Sequence, residues 1–224
     1  MRLIRTNLLF RLALVLMTGQ LESPGLATTS ATSEVPEWQE ISPLSREQRE
    51  SMTRDQLMGA SRYQLDHLYQ KISAGSLPKG DYKGSVPDIY QILNADSQRF
   101  DKRALRQLLS LWEGKVFYPE QGFLMNRVGS QLRYPAKLSC GSSKSEAQEP
   151  AIILDYRMAW TIPGYFFWTD WWVTGHGLNV VDEIRMVHPG LYLGQMYLSE
   201  RFALYFILEN PDENRDENWG ESCL

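Results

Sequence analysis

At 224 residues, 43% of them hydrophobic and 22% charged, the chain is long enough to bury one good core, so one domain with a helical extension is expected. Its formal net charge is −4, its basic residues are scattered, and Glu209, Asp212, Glu213, Asp216, Glu217 and Glu221 make the C-terminal end acidic. That balance excludes a surface built to neutralise phosphates, and no nucleic-acid partner is expected.

Residues 1–27 have the layout of a secretion signal. Arg2 and Arg5 supply the positive start, Leu8 to Thr18 an apolar core interrupted only by Arg11, and Gly25-Leu26-Ala27 a small-residue cleavage site. A membrane anchor would need roughly 20 apolar residues, more than this core holds. No Cys follows it, which argues against lipid modification. The expectation is export to a periplasmic or extracellular compartment. Losing this segment removes three arginines and one glutamate, so the mature chain is more acidic still. Residues 28–44, rich in Ser, Thr and Pro, read as a flexible linker.

Residues 45–112 read as a helical extension. Thr53 followed by Gln56, and Ser61 followed by Gln64, fit helix N-caps with a polar partner three residues on. The second helix, Arg62 to about Ser73, carries Tyr63, Leu65, Leu68, Tyr69 and Ile72 near helical spacing, with Gly75 placed to take a left-handed C-cap. A further helix is predicted over Asp101–Trp112, with Leu105, Leu108, Leu109 and Trp112 on one stripe.

Over residues 113–210 the period changes to that of strands: Lys115–Tyr118, Phe123–Val128, Gln131–Ser139, Ala151–Tyr156, Val180–Val187, Leu191–Leu198 and Phe202–Glu209. The predicted fold class is therefore α+β, an antiparallel β-barrel or curled sheet of seven strands behind a helical lead-in. Leu191 and Leu193 share one face of their strand while Tyr192, Met196 and Leu198 share the other. An ordinary half-exposed strand would alternate with polar residues, so this one needs both an interior and an external cover, for which the N-terminal helices are available. Residues 211–224 read as a solvated acidic tail. The two cysteines, Cys140 in a polar loop and Cys223 near the end, could pair in an oxidising compartment and tie the tail to the sheet; equally, Cys223 could be an exposed thiol.

Leu77-Pro-Lys-Gly-Asp-Tyr-Lys-Gly84, then Trp112-Glu-Gly-Lys115 and Phe117, then a β-rich C-terminal half, resemble in order the bacterial Gly-x-Trp-x-Gly proteins. Tyr82 stands where that family has Trp. The resemblance implies a lipocalin-like small β-barrel with a helical lead-in, and no reaction. Read from its own residues, Gly80 to Gly84 is a tight turn whose glycines let the Tyr82 ring press against the barrel end. Its glycine spacing does not fit a phosphate-binding loop, and no cofactor is expected.

Seven aromatics fall between Trp160 and Trp172, including Trp168 and Trp171. They could close a barrel mouth over a ligand, contact a membrane surface, or simply pack as a hairpin. Polar residues interrupt the apolar strands at Asn126, Asp155, Asp182, Glu183 and Arg185. An inward Asp155 would need a partner such as Arg185 or Arg127, and that pair could anchor a ligand head group. Glu183 and Arg185 share one face of their strand and Asp182 takes the other.

Among the histidines, His67 lies in a polar helix and His188 begins an exposed turn. His176, beside the aromatic run, is the one candidate general base. No nucleophile elbow and no metal-ligand spacing accompany it, so no metal is expected. Three functions are consistent with these residues. The first is an exported, noncatalytic barrel binding an apolar or amphipathic, lipid-like small molecule, with Met125, Leu154, Ile184 and Leu193 lining the cavity. The second is a hydrolase or isomerase pairing His176 with Asp155 or Asp182. The third is an envelope protein that uses the aromatic run as a contact surface.

Overall fold

The computed structural model describes residues 44–87, 109–145, 149–157, 162, 179–214, 219–220 and 223. Three hydroxyl side chains start three short helices, α1 (Arg46–Ser51), α2 (Arg54–Gly59) and α3 (Arg62–Lys71). Each start is a reciprocal capping box: Ser45 with Gln48, Thr53 with Gln56, and Ser61 with Gln64. The last two match the predicted caps, and the first repeats the same signature one step earlier. Helices this short do not persist alone in water, so packing must hold them. Leu57, Leu65, Leu68 and Tyr69 supply it by burying themselves against Val187, Leu191, Leu193, Tyr205 and Ile207. α3 stops at Lys71, earlier than predicted. Gly75 does adopt positive φ, but three residues past the C-cap Ile72, where a Cβ would sit 2.4 Å from Met186.

Eight strands follow: β1 (Gly80–Ser85), β2 (Trp112–Tyr118), β3 (Phe123–Val128), β4 (Gln131–Ser142), β5 (Pro150–Asp155), β6 (Val180–His188), β7 (Leu191–Leu198) and β8 (Arg201–Glu209). Each pairs antiparallel with the next, and β1 pairs with β8 to close the barrel. The α+β class and the antiparallel barrel expected from the sequence are thus what forms. The eighth strand is β1, which its glycines made resemble a turn. Tyr82 lies opposite Lys115 and Lys83 opposite Glu209, and the Tyr82 ring is fully buried in the interior beside Phe117 and Tyr192. Trp112, predicted to end a helix, instead opens β2; residues 101–108 of that helix lie outside the described residues.

All nine residues of β6 are buried. Val180, Ile184 and Met186 face the interior with Leu124, Ile152, Leu154 and Leu204, while Val187 faces the helices. β7 divides the same way, Tyr192 inward and Leu191 and Leu193 under the helices, so the two apolar faces have the interior and the cover they require. The cavity lining expected from the sequence does not hold together for this reason. Leu154 and Ile184 point inward, but Leu193 is on the helix side and Met125 alternates with the inward Leu124.

Cys140 falls within β4 rather than a loop, and a disulfide joins it to Cys223. Of the described tail residues, Pro211, Asp212, Asn214 and Gly220 are exposed, whereas Glu213 and Trp219 are half-buried and Cys223 is buried. Tyr82 donates its hydroxyl proton to the Glu213 carboxylate, and Trp219 lies 4.9 Å from both the Arg46 and Arg49 guanidinium carbons. Among the described residues no helix is long and apolar enough to cross a membrane.

Candidate functional site

Two bulges turn polar groups into one end of the barrel. In β2, Trp112 lies opposite Val128 and Gly114 opposite Arg127, so Glu113 is an extra residue. The bulge resets the alternation and lets Trp112 and Lys115 point to the same side. Gly114 is required there: its φ is +144° and a Cβ would lie 1.9 Å from the Tyr82 carbonyl oxygen. In β4, Arg133 faces Asn126 and Ala136 faces Leu124, leaving Tyr134 and Pro135 together opposite Met125. Tyr134 takes φ +51°, an unfavourable value for a bulky side chain, and its carbonyl accepts the Asn126 amide at 2.9 Å.

The result is a cluster around Lys115, which is only 3% exposed. Its ammonium donates to Asn126 Oδ1 at 3.0 Å, to the Tyr156 hydroxyl at 2.5 Å and to Asp182 Oδ2 at 2.9 Å. Trp112 Nε1 also donates to Asn126 Oδ1 at 3.0 Å, and Asn126 Nδ2 donates to the Tyr156 hydroxyl at 3.0 Å. Asp182 Oδ1 is buried and has no hydrogen-bond partner. The cluster lies where β2 begins, β5 ends and β6 begins.

Three rings surround the cation: Trp112 at 5.4 Å, Tyr156 at 5.1 Å and Phe206 at 5.1 Å from Lys115 Nζ. Two glycines on the interior face make room for them. A Cβ on Gly84 would be 2.4 Å from the Trp112 ring, and one on Gly194 would be 2.3 Å from the Phe206 ring. Burial pulls the Lys115 ammonium below its usual range, and Asp182 opposes that shift. Burial beside the Asp182 carboxylate pushes the Tyr156 hydroxyl well above its usual range, so Tyr156 keeps its proton at neutral pH. Lys115 and Asp182 form the only described ion pair buried on both sides, at 3% and 6% side-chain exposure.

The other face of β6 holds charge differently. Arg185 Nη1 donates to the carbonyls of Tyr69 at 2.8 Å and Ile72 at 3.5 Å, at the C-terminal end of α3, and its guanidinium lies 4.6 Å from the Tyr69 ring centre. Glu183 accepts from the Ser143 hydroxyl at 2.8 Å and the Lys144 backbone N–H at 2.6 Å, while burial raises its carboxyl above the usual range.

Of the residues singled out from the sequence, Asn126 and Asp182 meet in the interior cluster. Asp155 and Arg185 do not meet. Asp155 alternates with the inward Ile152 and Leu154 and pairs on the outside with Arg157 at 2.9 Å; Arg127 pairs with Asp81. His188 is buried rather than exposed, with its Nε2 3.1 Å from the Met52 carbonyl oxygen. Trp160, Trp168, Trp171, Trp172 and His176 lie outside the described residues.

Lys115, Tyr156 and Trp112 were not read from the sequence as site residues. Strand alternation carried a signal for two of them, since Lys115 is two residues from the inward Phe117 and Tyr156 two from the inward Leu154. Trp112 carried none, because the bulge breaks the count. Among the described residues no three His, Cys, Asp or Glu side chains converge to hold a metal ion.

The chain matches no protein-family model and no curated protein. Among solved structures it is similar to a protein from Thermomonospora curvata, with a TM-score of 0.43 and 17% identity over 67% of this chain and 88% of that one. A likeness of that degree carries no argument here.

Proposed function

We propose that this chain is an exported, noncatalytic β-barrel that binds an apolar or amphipathic small molecule at the end of the barrel occupied by Lys115, Asn126, Tyr156 and Asp182. The observation that carries this reading is an apolar interior, formed by Leu124, Ile152, Leu154, Ile184 and Leu204, with a few convergent polar groups at one end. Small-molecule sites have that composition. A buried ion pair is a poor way to gain stability, because desolvating two charges offsets most of their attraction. A role in recognition gives a reason for its presence. The Cys140–Cys223 disulfide supports an oxidising compartment and hence export. Kinship with the Gly-x-Trp-x-Gly proteins belongs to the same proposal and rests on the order of β1, Trp112 and the strands that follow.

The test is a titration of the oxidised full chain with the dye N-phenyl-1-naphthylamine, together with native mass spectrometry of protein purified from its own host. Saturable dye binding displaced by amphiphiles, or a co-purifying small molecule, is the expected result. Absence of both sinks the proposal.

A further inference from the structure

We infer that the polar end of the barrel selects a hydrogen-bond donor and turns away a carboxylate, so that its ligand is a neutral, hydroxyl-bearing apolar molecule. This inference rests on the binding function proposed above and specifies the ligand class. It follows from counting hydrogens and lone pairs in the cluster.

An ammonium has three hydrogens, and Lys115 commits all three, to Asn126, Tyr156 and Asp182. An amide has two, and Asn126 commits both, to the Tyr134 carbonyl and the Tyr156 hydroxyl. The single Trp112 indole hydrogen goes to Asn126 Oδ1, which also lies 3.3 Å from the Tyr156 hydroxyl. The Tyr156 hydroxyl hydrogen has Asn126 Oδ1 and the neighbouring Asp182 carboxylate as its acceptors, so every donor in the cluster has an acceptor within it. One acceptor is left: Asp182 Oδ1, buried and unpartnered on a residue that is 4% exposed.

A bare carboxylate oxygen in an apolar interior is costly, and an incoming O–H relieves that cost directly. An incoming carboxylate does the reverse, placing a second anion beside Asp182 with no hydrogen to receive it. An ammonium head would supply a donor, but the Lys115–Asp182 pair is already neutral, so it would bury a net positive charge. The ring faces of Trp112, Tyr156 and Phe206 are already turned to Lys115. A neutral hydroxyl meets the vacancy without either penalty.

The experiment uses the oxidised full chain carrying N-phenyl-1-naphthylamine and three competitors built on a ten-carbon chain: 1-decanol, decanoate and decyl methyl ether. Decanol is expected to displace the dye at about tenfold lower concentration than the ether, the size of one hydrogen bond to a charged acceptor, and decanoate to be weaker still. If the ether or decanoate matches decanol, the donor selection is wrong while the binding function stands. If none of the three displaces the dye, this inference falls, and the binding function falls with it where no small molecule co-purifies either. In the double variant Lys115→Met/Asp182→Leu, which removes both charges together, decanol and the ether should compete alike. A surviving preference for decanol would place its recognition elsewhere and overturn the assignment. The comparison of competitors on the unmodified protein does not depend on that variant folding.

Discussion

On the inner side of β6, Asp182 is neutralised by Lys115, another buried charge; on the outer side, Glu183 and Arg185 are each held by groups that elements outside the barrel supply. Arg185 takes the terminal carbonyls of α3, and Glu183 takes a hydroxyl and a backbone N–H from the stretch after β4. The outer charges therefore fasten the helices and that stretch to the sheet. The inner pair fastens nothing outside the barrel and leaves an oxygen bare. Three charged side chains in four consecutive positions divide by strand alternation into two roles, attachment outside and, in the proposed function, recognition inside.

The strongest way to test this division is to remove one inner charge. Lys115→Met leaves Asp182 buried without its counter-charge and should cost about 3–5 kcal/mol of stability in a urea titration, most of it regained in Lys115→Met/Asp182→Leu. Equal instability of the single and double variants would show that the two charges do not depend on each other. On the outer face, Arg185→Ala should cost about 2 kcal/mol by the same measurement, from the lost charged hydrogen bond at the end of α3. Dye affinity should not move; if it does, inside and outside are not separate.

A smaller loss, about 1–2 kcal/mol, is expected for Gly194→Ala, because the Phe206 ring that meets the new methyl can tilt to absorb part of the clash. This change acts on the inner face, so dye affinity should fall with it. The smallest effect is a change of slope with pH. Burial holds the Glu183 carboxyl above its unfolded value of about 4.3, so the folded state keeps the proton longer and that stabilisation is lost as pH rises through the folded value. Glu183→Gln should flatten this decline in urea midpoints measured upward from pH 4, and an unchanged slope would assign the decline to another group.

The barrel was legible in the sequence because period-two apolar patterns mark strands whatever their partners, and the doubly apolar β7 required the helices as its cover. β1 was not, since GDYKGS contains two glycines and no apolar alternation; what makes it a strand is pairing with β2 and β8, far away in sequence. The site was half legible. Asn126 and Asp182 stood out as polar residues in apolar strands. Lys115 sits at a strand start, where a lysine usually reaches water, and Trp112 is turned inward by a bulge that only Gly114, pressed against the Tyr82 carbonyl, makes possible. Asp155 misled because a carboxylate in an apolar run looks the same whichever way it points; Arg157, two residues on, holds it outside.

Closure of the barrel through β1 and β8 also fixes when it can be completed. Lys83 must meet Glu209, so the ladder stays open until synthesis has reached Glu209. Contacts so distant in sequence make the final step slow, and until it happens β1 and β7 each carry an unsatisfied edge. Under the export proposed above that delay would be useful: a polypeptide that cannot finish its sheet early would reach a translocation pore still unfolded, and Cys223 would meet Cys140 only in the oxidising compartment beyond it.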